Sequence, residues 1–225
     1  MPEPGGDGVS GATPSATRDL ILLHGLWMPG LAMAPLAARL AGHGFRTHVF
    51  DYASRARPLE IHAERLVRYA REVAPHRPPC FLGHSLGGLV VLEALARADA
   101  PAAAGVVLLG TPARGCLAGR RLSGYPGGRW MLGESAALWR EGRAARWDAR
   151  APLGVIAGSL PLGLGRVLGR LPGVNDGVVR LEETEVEGMR DRIVLPVGHA
   201  AMLVSARVAA QAAQFLAHGR FAHGA

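Results

Sequence analysis

The stretch Cys80-Phe81-Leu82-Gly83-His84-Ser85-Leu86-Gly87-Gly88-Leu89-Val90-Val91 has the pattern of an apolar strand that turns abruptly into a helix, with one serine at the corner. A serine at such a corner takes a strained backbone conformation, so the residues that flank the turn must be small. Gly83 and Gly87 stand at those positions. The pattern predicts that Ser85 is presented on a rigid turn. A glycine-rich turn in which the serine only caps the helix is the alternative.

The five residues Gly83-His84-Ser85-Leu86-Gly87 match the pattern Gly-x-Ser-x-Gly and resemble the nucleophile elbow of the alpha/beta-hydrolase superfamily. The context fits the motif, because Phe81 and Leu82 supply the incoming strand and Leu86 to Ala98 supply the outgoing helix. The resemblance implies an α/β fold with a mostly parallel sheet flanked by helices. It also implies that Ser85 is a nucleophile.

Apolar runs alternate with helical patterns along the rest of the chain, which is typical of a parallel sheet with crossover helices. We predict helices over Met33 to Ala41, from Leu59 to Ala74, and over Ala200 to Leu216. The helix from Leu59 is the clearest, because its apolar residues recur on one face. Six strands are predicted, at Leu20 to Leu23, Thr47 to Phe50, Cys80 to Gly83, Val106 to Leu109, Leu153 to Ala157 and Ile193 to Val197.

At 225 residues, the chain is long enough for one α/β domain with its own core. We place that domain at 18–225 and interpret residues 1–17, which are rich in Gly, Pro, Ser and Thr, as a flexible tail. No apolar stretch reaches the roughly 18 residues of a membrane span. Two cysteines, Cys80 and Cys116, are too few for a disulfide framework. The sequence therefore predicts a soluble protein of a reducing, cytoplasmic compartment.

The formal net charge is +7, and all 25 basic residues are arginines. The charge is uneven, since residues 111–150 hold eight arginines and three acidic residues. A basic face can attract an anionic lipid surface or an acidic partner, and a solvated arginine-rich surface is the alternative. No motif and no interleaved aromatic residues indicate nucleic-acid binding.

Residues 111–150 also interrupt the alternation of strands and helices, over a length at which a structureless loop is uncommon. In alpha/beta hydrolases a cap or lid over the active site is commonly inserted here, so the resemblance implies a lid-like insertion at 111–150. A helical excursion that packs its own small core is the alternative. Both a lid and a helical excursion need large apolar side chains, and this segment supplies them at Trp130, Met131, Leu132, Leu138 and Trp139.

A serine hydroxyl becomes a good nucleophile when a base takes its proton. The base works best when a carboxylate holds it in the right tautomer. In this fold, the acid and then the histidine follow the serine along the chain. We select His199, at the end of a predicted strand, over His218 and His223, which lie in a glycine-flanked tail. A purely structural histidine at a helix start is the alternative for His199.

The carboxylate is assigned to Asp176, in the tight turn Asn175-Asp176-Gly177, 23 residues before His199. Asn-Asp-Gly is a good turn sequence in its own right. It also resembles the turn that carries the catalytic Asp in compact bacterial triacylglycerol lipases. The competing acids are interpreted as solvated loop charges: Glu182, Glu183, Glu185 and Asp148.

The oxyanion that forms on attack needs two backbone N–H groups in a water-poor pocket. Leu86 supplies one from the start of the helix, and the loop after the first strand supplies the other. That loop begins with His24-Gly25 and resembles the His-Gly loop of lipases and esterases, which implies Leu26 as the second donor. His24 and His84 are interpreted as structural supports that do not titrate in catalysis.

Together, the residues predict a serine hydrolase that cleaves carboxylic esters through an acyl-enzyme and needs no cofactor. The compact lipases commonly carry a calcium-binding Asp two positions after the catalytic His; here Ala201 stands there, so no metal site is predicted. Two alternatives stay open. The same triad would support thioester hydrolysis or acyl transfer, and a hydrolase fold can also serve as a non-catalytic binding protein.

The substrate is expected to be a small-molecule ester or a lipid. Apolar residues near the proposed oxyanion loop and in the insertion suggest a pocket for an acyl chain rather than a site for a charged substrate. The same residues could instead belong to the core. They are Trp27, Met28, Trp130 and Leu132.

Overall fold

The computed structural model describes residues 17–140, 145–148, 151–162 and 169–224. Within these ranges the chain forms one sheet of six parallel strands, which confirms the predicted fold class. The tail predicted at residues 1–17 lies outside the described residues except for Thr17. The strands are β1 (Arg18–Leu23), β2 (Phe45–Phe50), β3 (Cys80–His84), β4 (Gly105–Leu109), β5 (Leu153–Gly158) and β6 (Asp191–Leu195).

The α-helices of the described ranges are α1 (Ala34–Gly42), α2 (Leu59–Val73), α3 (Leu86–Leu95), α4 (Leu117–Gly124), α5 (Gly128–Leu132), α6 (Ala136–Arg140) and α7 (Ala206–His218). The prediction of α2 and of its buried face is confirmed. The helix that follows Ser85 is three residues shorter than predicted, because it ends at Leu95 instead of Ala98.

Two predicted elements are wrong at their ends. The sixth strand ends at Leu195 rather than Val197, because Pro196 has no N–H to donate and the N–H of Val197 turns back to the carbonyl of Leu195 at 2.8 Å. The predicted helix Ala200 to Leu216 is a short 3-10 turn, Ala200–Val204, followed by α7. Ser205 separates the two, since its backbone is extended and its Oγ accepts a hydrogen bond from the N–H of Val208.

The order of strands across the sheet is β2-β1-β3-β4-β5-β6, so the chain leaves β1 in one direction and returns to the other side of it with β3. The crevice at the carboxyl ends of such a strand pair is where ligands bind in open α/β sheets. In the register, Leu23 lies opposite Gly83, and Gly83 lies opposite Leu108. The carboxyl ends of β1, β3 and β4 are therefore level.

Both faces of the sheet are covered, as a parallel sheet requires. Along β1, Ile21 and Leu23 join the core on the side of α2 and α3, whereas Leu20 and Leu22 join the core on the side of α1 and α7. This alternation follows from the two-residue period of a strand. The packing of side chains on both faces holds the strands rigidly, so that the loops at their carboxyl ends start from defined positions.

Residues 111–150 fold into α4, α5 and α6 in their described part. Leu122, Leu132 and Trp139 are buried in the same apolar cluster as α2 and α3. The insertion therefore shares its core with the main domain instead of packing a core of its own. Of all the helices in the described ranges, none combines the length and the apolar character that crossing a bilayer requires.

Candidate active site

The turn between β3 and α3 has the strained geometry that the sequence predicts. Ser85 has φ 54° and ψ −122°, a conformation that non-glycine residues rarely adopt. A side chain at Gly83 would place its Cβ 2.5 Å from the backbone of Gly88, and one at Gly87 would place it 2.6 Å from the carbonyl of His24. Only glycine allows the strand, the turn and β1 to approach this closely.

His199 and Asp176 form a buried pair beyond the ends of β5 and β6. Nδ1 of His199 lies 2.7 Å from Oδ2 of Asp176, and both side chains are buried. The main chain reinforces the pair, because the N–H of His199 donates to the carbonyl of Asp176 at 2.9 Å. The imidazole is thus held at one ring nitrogen, and Nε2 is the nitrogen left to exchange a proton.

The other carboxylate oxygen of Asp176 is also bound. Oδ1 accepts hydrogen bonds from the N–H groups of Val178 at 3.0 Å and of Val179 at 2.8 Å. Burial alone would raise the pKa of Asp176. The adjacent His199 and the two backbone donors outweigh the burial, so the pKa lies below its usual value. Asp176 is therefore ionised at neutral pH and can fix the tautomer of His199.

His84 links Ser85 to the His199–Asp176 pair. The ring of His84 lies 4.7 Å from the ring of His199, and its Nε2 lies 3.1 Å from the carbonyl oxygen of His199. Because Ser85 is the next residue along the chain, it lies at the same edge of the sheet as Asp176 and His199, where the carboxyl ends of the parallel strands meet. Burial, assisted by the nearby His199, lowers the pKa of His84 to about 3. His84 is thus neutral at physiological pH, as predicted for a structural support.

Gly110 is a residue of this site that sequence reasoning missed. It follows β4 with φ 52°, and a Cβ there would lie 2.9 Å from Oδ2 of Asp176 and 3.0 Å from Nδ1 of His199. The hydrogen bond between acid and histidine therefore needs a glycine at this point. A signal was present in the sequence, since a glycine directly after a buried strand often marks a close approach of another group.

The β1–α1 loop (residues 24–29) lies against Ser85. A Cβ at Gly25 would lie 3.1 Å from Cβ of Ser85 and 3.0 Å from Nδ1 of His84. This places Leu26 next to the serine. Leu86 is the first residue of α3, so its N–H belongs to the donors that a helix start leaves without an intrahelical partner. The β1–α1 loop and the start of α3, which carry the two N–H groups named from the sequence, therefore both lie next to Ser85.

Asp51, which sequence reasoning did not single out, anchors this loop at both ends. Its Oδ1 lies 3.0 Å from Nε2 of His24 and accepts a hydrogen bond from the N–H of Gly30 at 2.8 Å. Nδ1 of His24 lies 2.9 Å from the carbonyl oxygen of Gly25, and the hydroxyl of Tyr52 donates to the carbonyl of His24. His24 is completely buried, which agrees with the structural role predicted for it.

The four residues proposed to bind substrate lie in different environments. Trp27 and Trp130 are exposed, and Met28 is partly buried against the core on the side of α1. Leu132 is almost completely buried in the other core. Trp27 is tied to the insertion, since its indole Nε1 donates to the carbonyl of Met131 at 2.8 Å. Trp27 is therefore adjacent to Met131, the residue that follows Trp130. Leu132, in contrast, is packed away from solvent.

The interpretation of Glu183 as a solvated loop charge is wrong. Its side chain is buried and accepts hydrogen bonds from the N–H of Leu117 at 2.7 Å and from the N–H of Arg180 at 2.8 Å. The guanidinium of Arg180 adds a third bond at 3.0 Å. The carboxylate therefore joins the start of α4 to the turn that carries Asp176, in which Asn175 pairs with Arg180.

Replacement of Glu183 by alanine should destabilise the fold by about 3 kcal/mol, because it leaves two backbone donors and Nη2 of the Arg180 guanidinium without their acceptor. The matched control is Glu182→Ala, since Glu182 also contacts Arg180 but is mostly exposed; solvent screening should leave its stability near that of the wild type. Urea unfolding of both variants measures the difference. Equal midpoints would contradict the role given to Glu183.

Comparison with known proteins agrees with the fold. The profile of the alpha/beta hydrolase family matches residues 20–222. Among solved structures, the mature form of the Bacillus licheniformis lipase BlEst2 superimposes with a TM-score of 0.71 over 94% of this chain and 95% of that chain, at 17% identity. At this level of identity, the likeness concerns the fold.

Among curated proteins, the pimeloyl-[acyl-carrier protein] methyl ester esterase of Sodalis glossinidius is 38% identical over 109 residues, which is 48% of this chain and 42% of that protein. The protein of the same name from Vibrio vulnificus is 39% identical over 84 residues, which is 36% of this chain and 32% of that protein. The chain thus matches less than half of the length of these relatives.

Proposed function

Since the chain belongs to the alpha/beta hydrolase family, we propose that it is a serine hydrolase that cleaves carboxylic esters through Ser85, His199 and Asp176. The observation that carries the proposal is the buried His199–Asp176 pair, whose Nδ1 and Oδ2 are 2.7 Å apart and whose histidine packs against His84, the neighbour of a serine with a strained backbone. A strained backbone at the serine raises the free energy of the folded state, and a buried carboxylate whose pKa is shifted by a specific histidine partner is typical of functional sites. They are expected together where they serve a reaction.

In the proposed mechanism, Oγ of Ser85 attacks the carbonyl carbon of the ester while Nε2 of His199 accepts the hydroxyl proton. The mechanism requires a hydrogen bond from Oγ of Ser85 to Nε2 of His199, and this bond is part of the proposal. Such catalytic bonds often tighten only when substrate is bound. The tetrahedral intermediate carries its negative charge on the former carbonyl oxygen, which the N–H groups of Leu26 and Leu86 hold. His199 then gives the proton to the leaving alcohol.

The second half of the reaction repeats these roles with water. Nε2 of His199 takes a proton from the water that attacks the acyl-enzyme, and it returns this proton to Oγ of Ser85 as the acid departs. Asp176 stays ionised throughout and stabilises the imidazolium that forms twice in each cycle. His84 is neutral, so it places no second positive charge beside that imidazolium.

The proposed substrate is an uncharged ester with an apolar acyl chain. The support is the apolar character of Trp27 and Met28 in the loop that lies against Ser85, and of Trp130 in the insertion. An arginine accompanies this surface, since the guanidinium of Arg55 lies 5.0 Å from the ring centre of Trp130. Exposed aromatic rings beside cations also support transient contact with an anionic lipid surface.

Two related proposals concern the wider setting. The names of the relatives from Sodalis and Vibrio make methyl esters of acyl chains on acyl-carrier protein the second substrate class to test. A reducing, cytoplasmic compartment is proposed because both cysteines are free and buried. Burial raises the pKa of the Cys80 thiol to about 11 and that of Cys116 to about 12, so both thiols are unreactive at neutral pH.

A chain-length series of p-nitrophenyl esters tests the proposal. We expect kcat/KM to rise from acetate to medium acyl chains, since each buried methylene contributes about 0.8 kcal/mol of binding at most. Activity limited to acetate would contradict the apolar pocket, and parallel assays of matched thioesters would reveal a thioesterase or an acyltransferase. Complete inactivity together with tight ester binding would favour a non-catalytic binding protein.

A further inference from the structure

Trp27 connects the β1–α1 loop to the cap segment (residues 128–135). Its indole Nε1 donates to the carbonyl of Met131 at 2.8 Å, and its main-chain N–H donates to Oγ of Ser54 at 3.2 Å. Trp27 is 42% exposed as a whole residue, so a large part of its apolar surface stays in contact with solvent. The one polar atom of its side chain is bound to a carbonyl of the cap segment.

The backbone at Trp27 is strained. Its φ is 61°, and among the described residues Ser85 is the only other non-glycine residue with a positive φ. A bulky residue keeps such a conformation only where the surroundings hold it on more than one side. Ser54 holds the N–H, and Met131 holds the side chain. Trp27 and Ser85 therefore lie in the two segments that supply the proposed oxyanion donors, the β1–α1 loop and the turn between β3 and α3.

The cap segment is held from the main domain by a second residue. The guanidinium of Arg55 donates to the carbonyl of Trp130 at 2.7 Å, and the carbonyl of Arg55 accepts a hydrogen bond from the N–H of Glu134 at 3.0 Å. Consecutive carbonyls of the cap segment, at residues 130 and 131, are therefore both bound by side chains of the main domain. This seats the cap segment in one position relative to the β1–α1 loop.

Leu26 lies between the anchored parts of the loop. Asp51 holds His24 before it and Gly30 after it, and the strained Trp27 adjoins it directly. Asp51, which makes these contacts at the loop ends, belongs to the main domain. Trp27 is the point at which the cap segment contacts the same loop by a hydrogen bond, one residue from the proposed donor.

We propose that Trp27 is a positioning residue that couples the seated cap segment to the oxyanion donor at Leu26. With the indole bonded to Met131, the N–H of Leu26 is aimed at the developing oxyanion; without that bond the loop relaxes and the donor is misaligned. The inference rests on the proposed function, because it assigns a role within the same site.

A donor that binds charge developing in the transition state affects kcat, whereas KM reports mainly ground-state binding. Loss of one complete oxyanion donor lowers kcat by about 10²–10³-fold. Misalignment is a fraction of that loss. We therefore expect Trp27→Phe, which keeps an aromatic ring and removes the indole N–H, to lower kcat on p-nitrophenyl acetate by about tenfold with KM nearly unchanged.

Ser54→Ala tests the coupling from the other side, since it removes the acceptor for the Trp27 N–H and keeps the ring. It should lower kcat in the same way, and the double variant should lose little more than either single variant. Leu31→Ala is the matched control. Leu31 lies in the turn just after this loop, is 79% exposed and has no role in the proposed site, so this variant should keep the wild-type kcat.

Hydrogen exchange gives a readout apart from activity. In Trp27→Phe, amides of residues 128–135 should exchange faster, whereas those of β3 should not change. A kcat drop in both variants with faster exchange in the cap segment supports the coupling. A wild-type kcat in Trp27→Phe, or a change confined to KM, overturns it. A wild type that hydrolyses no ester overturns the proposed function, and this inference with it.

Discussion

Replacement of Ser85 by alanine is expected to lower ester turnover by a factor on the order of 10⁶, to near the background rate, because no other group can form the acyl-enzyme. The fold should be retained. Alanine keeps the Cβ of serine and therefore the same backbone strain at φ 54°. The hydrogen bond from the N–H of residue 85 to the carbonyl of Leu109, 2.9 Å in this structure, also stays intact.

The measurement combines steady-state kinetics with labelling by a fluorophosphonate probe, which bonds covalently to an activated serine. The wild type should be labelled and Ser85→Ala should not. Ser123→Ala is the matched control, since Ser123 is partly exposed in α4 and its hydroxyl donates to the carbonyl of Arg120 at 2.7 Å. Labelling of Ser85→Ala at the wild-type rate would place the nucleophile elsewhere. An unlabelled wild type would favour a binding protein.

Replacement of Asp176 by asparagine is expected to lower kcat by a factor on the order of 10⁴, by analogy with other triads. An asparagine amide can still accept the N–H groups of Val178 and Val179, so the turn should fold. Its NH₂ would donate to Nδ1 of His199, which forces the ring proton onto Nε2. The imidazole would then hold the wrong tautomer and could not accept the serine proton.

Kinetics on Asp176→Asn, beside Glu185→Gln as a matched control, would measure this. Glu185 is a nearby acid that pairs with Arg114 at the surface, so its variant should keep wild-type kcat. Retention of more than a tenth of the wild-type kcat by Asp176→Asn, or an equal loss in Glu185→Gln, would contradict the assignment of the acid.

The pH dependence of stability gives a second measurement on the same variant. The pKa of Asp176 is lower in the folded than in the unfolded state. The unfolded chain therefore takes up this proton first, and the stability contributed by the carboxylate is present above about pH 4 and is lost as pH falls through the folded pKa. Urea midpoints measured below pH 5 should fall less steeply in Asp176→Asn than in the wild type.

Features that depend on residues close together in the chain were predicted well. The elbow is a contiguous motif, and its two glycines meet the steric demand of the turn. The six strands appear as short apolar runs, and α2 shows its buried face as a period of 3.6 residues. The order of acid and histidine followed from the family resemblance, and the structure brings Asp176 and His199 together.

Features that depend on pairing between distant segments were missed or misread. Glu183 has the composition of a surface loop, and only the approach of Leu117, 66 positions away, makes it a buried acceptor. Nothing near Asp51 in the sequence distinguishes it from the other acidic residues. Its role arises because β2 pairs with β1, which brings Asp51 to His24. Element boundaries were also misplaced by a few residues. The missing N–H of Pro196 ends β6 early, and Ser205 caps a helix that begins later than predicted.

The sequence by itself determined the parallel sheet and the strained serine and supplied the residues proposed as base and acid, because periodicity, turn chemistry and motif spacing are local properties of a chain. Only the tertiary structure decided that Gly110 must be a glycine, that Glu183 is internal, and that Trp27 reaches the cap segment. Those facts arise from close approaches between segments far apart in the chain, and packing in three dimensions sets such distances.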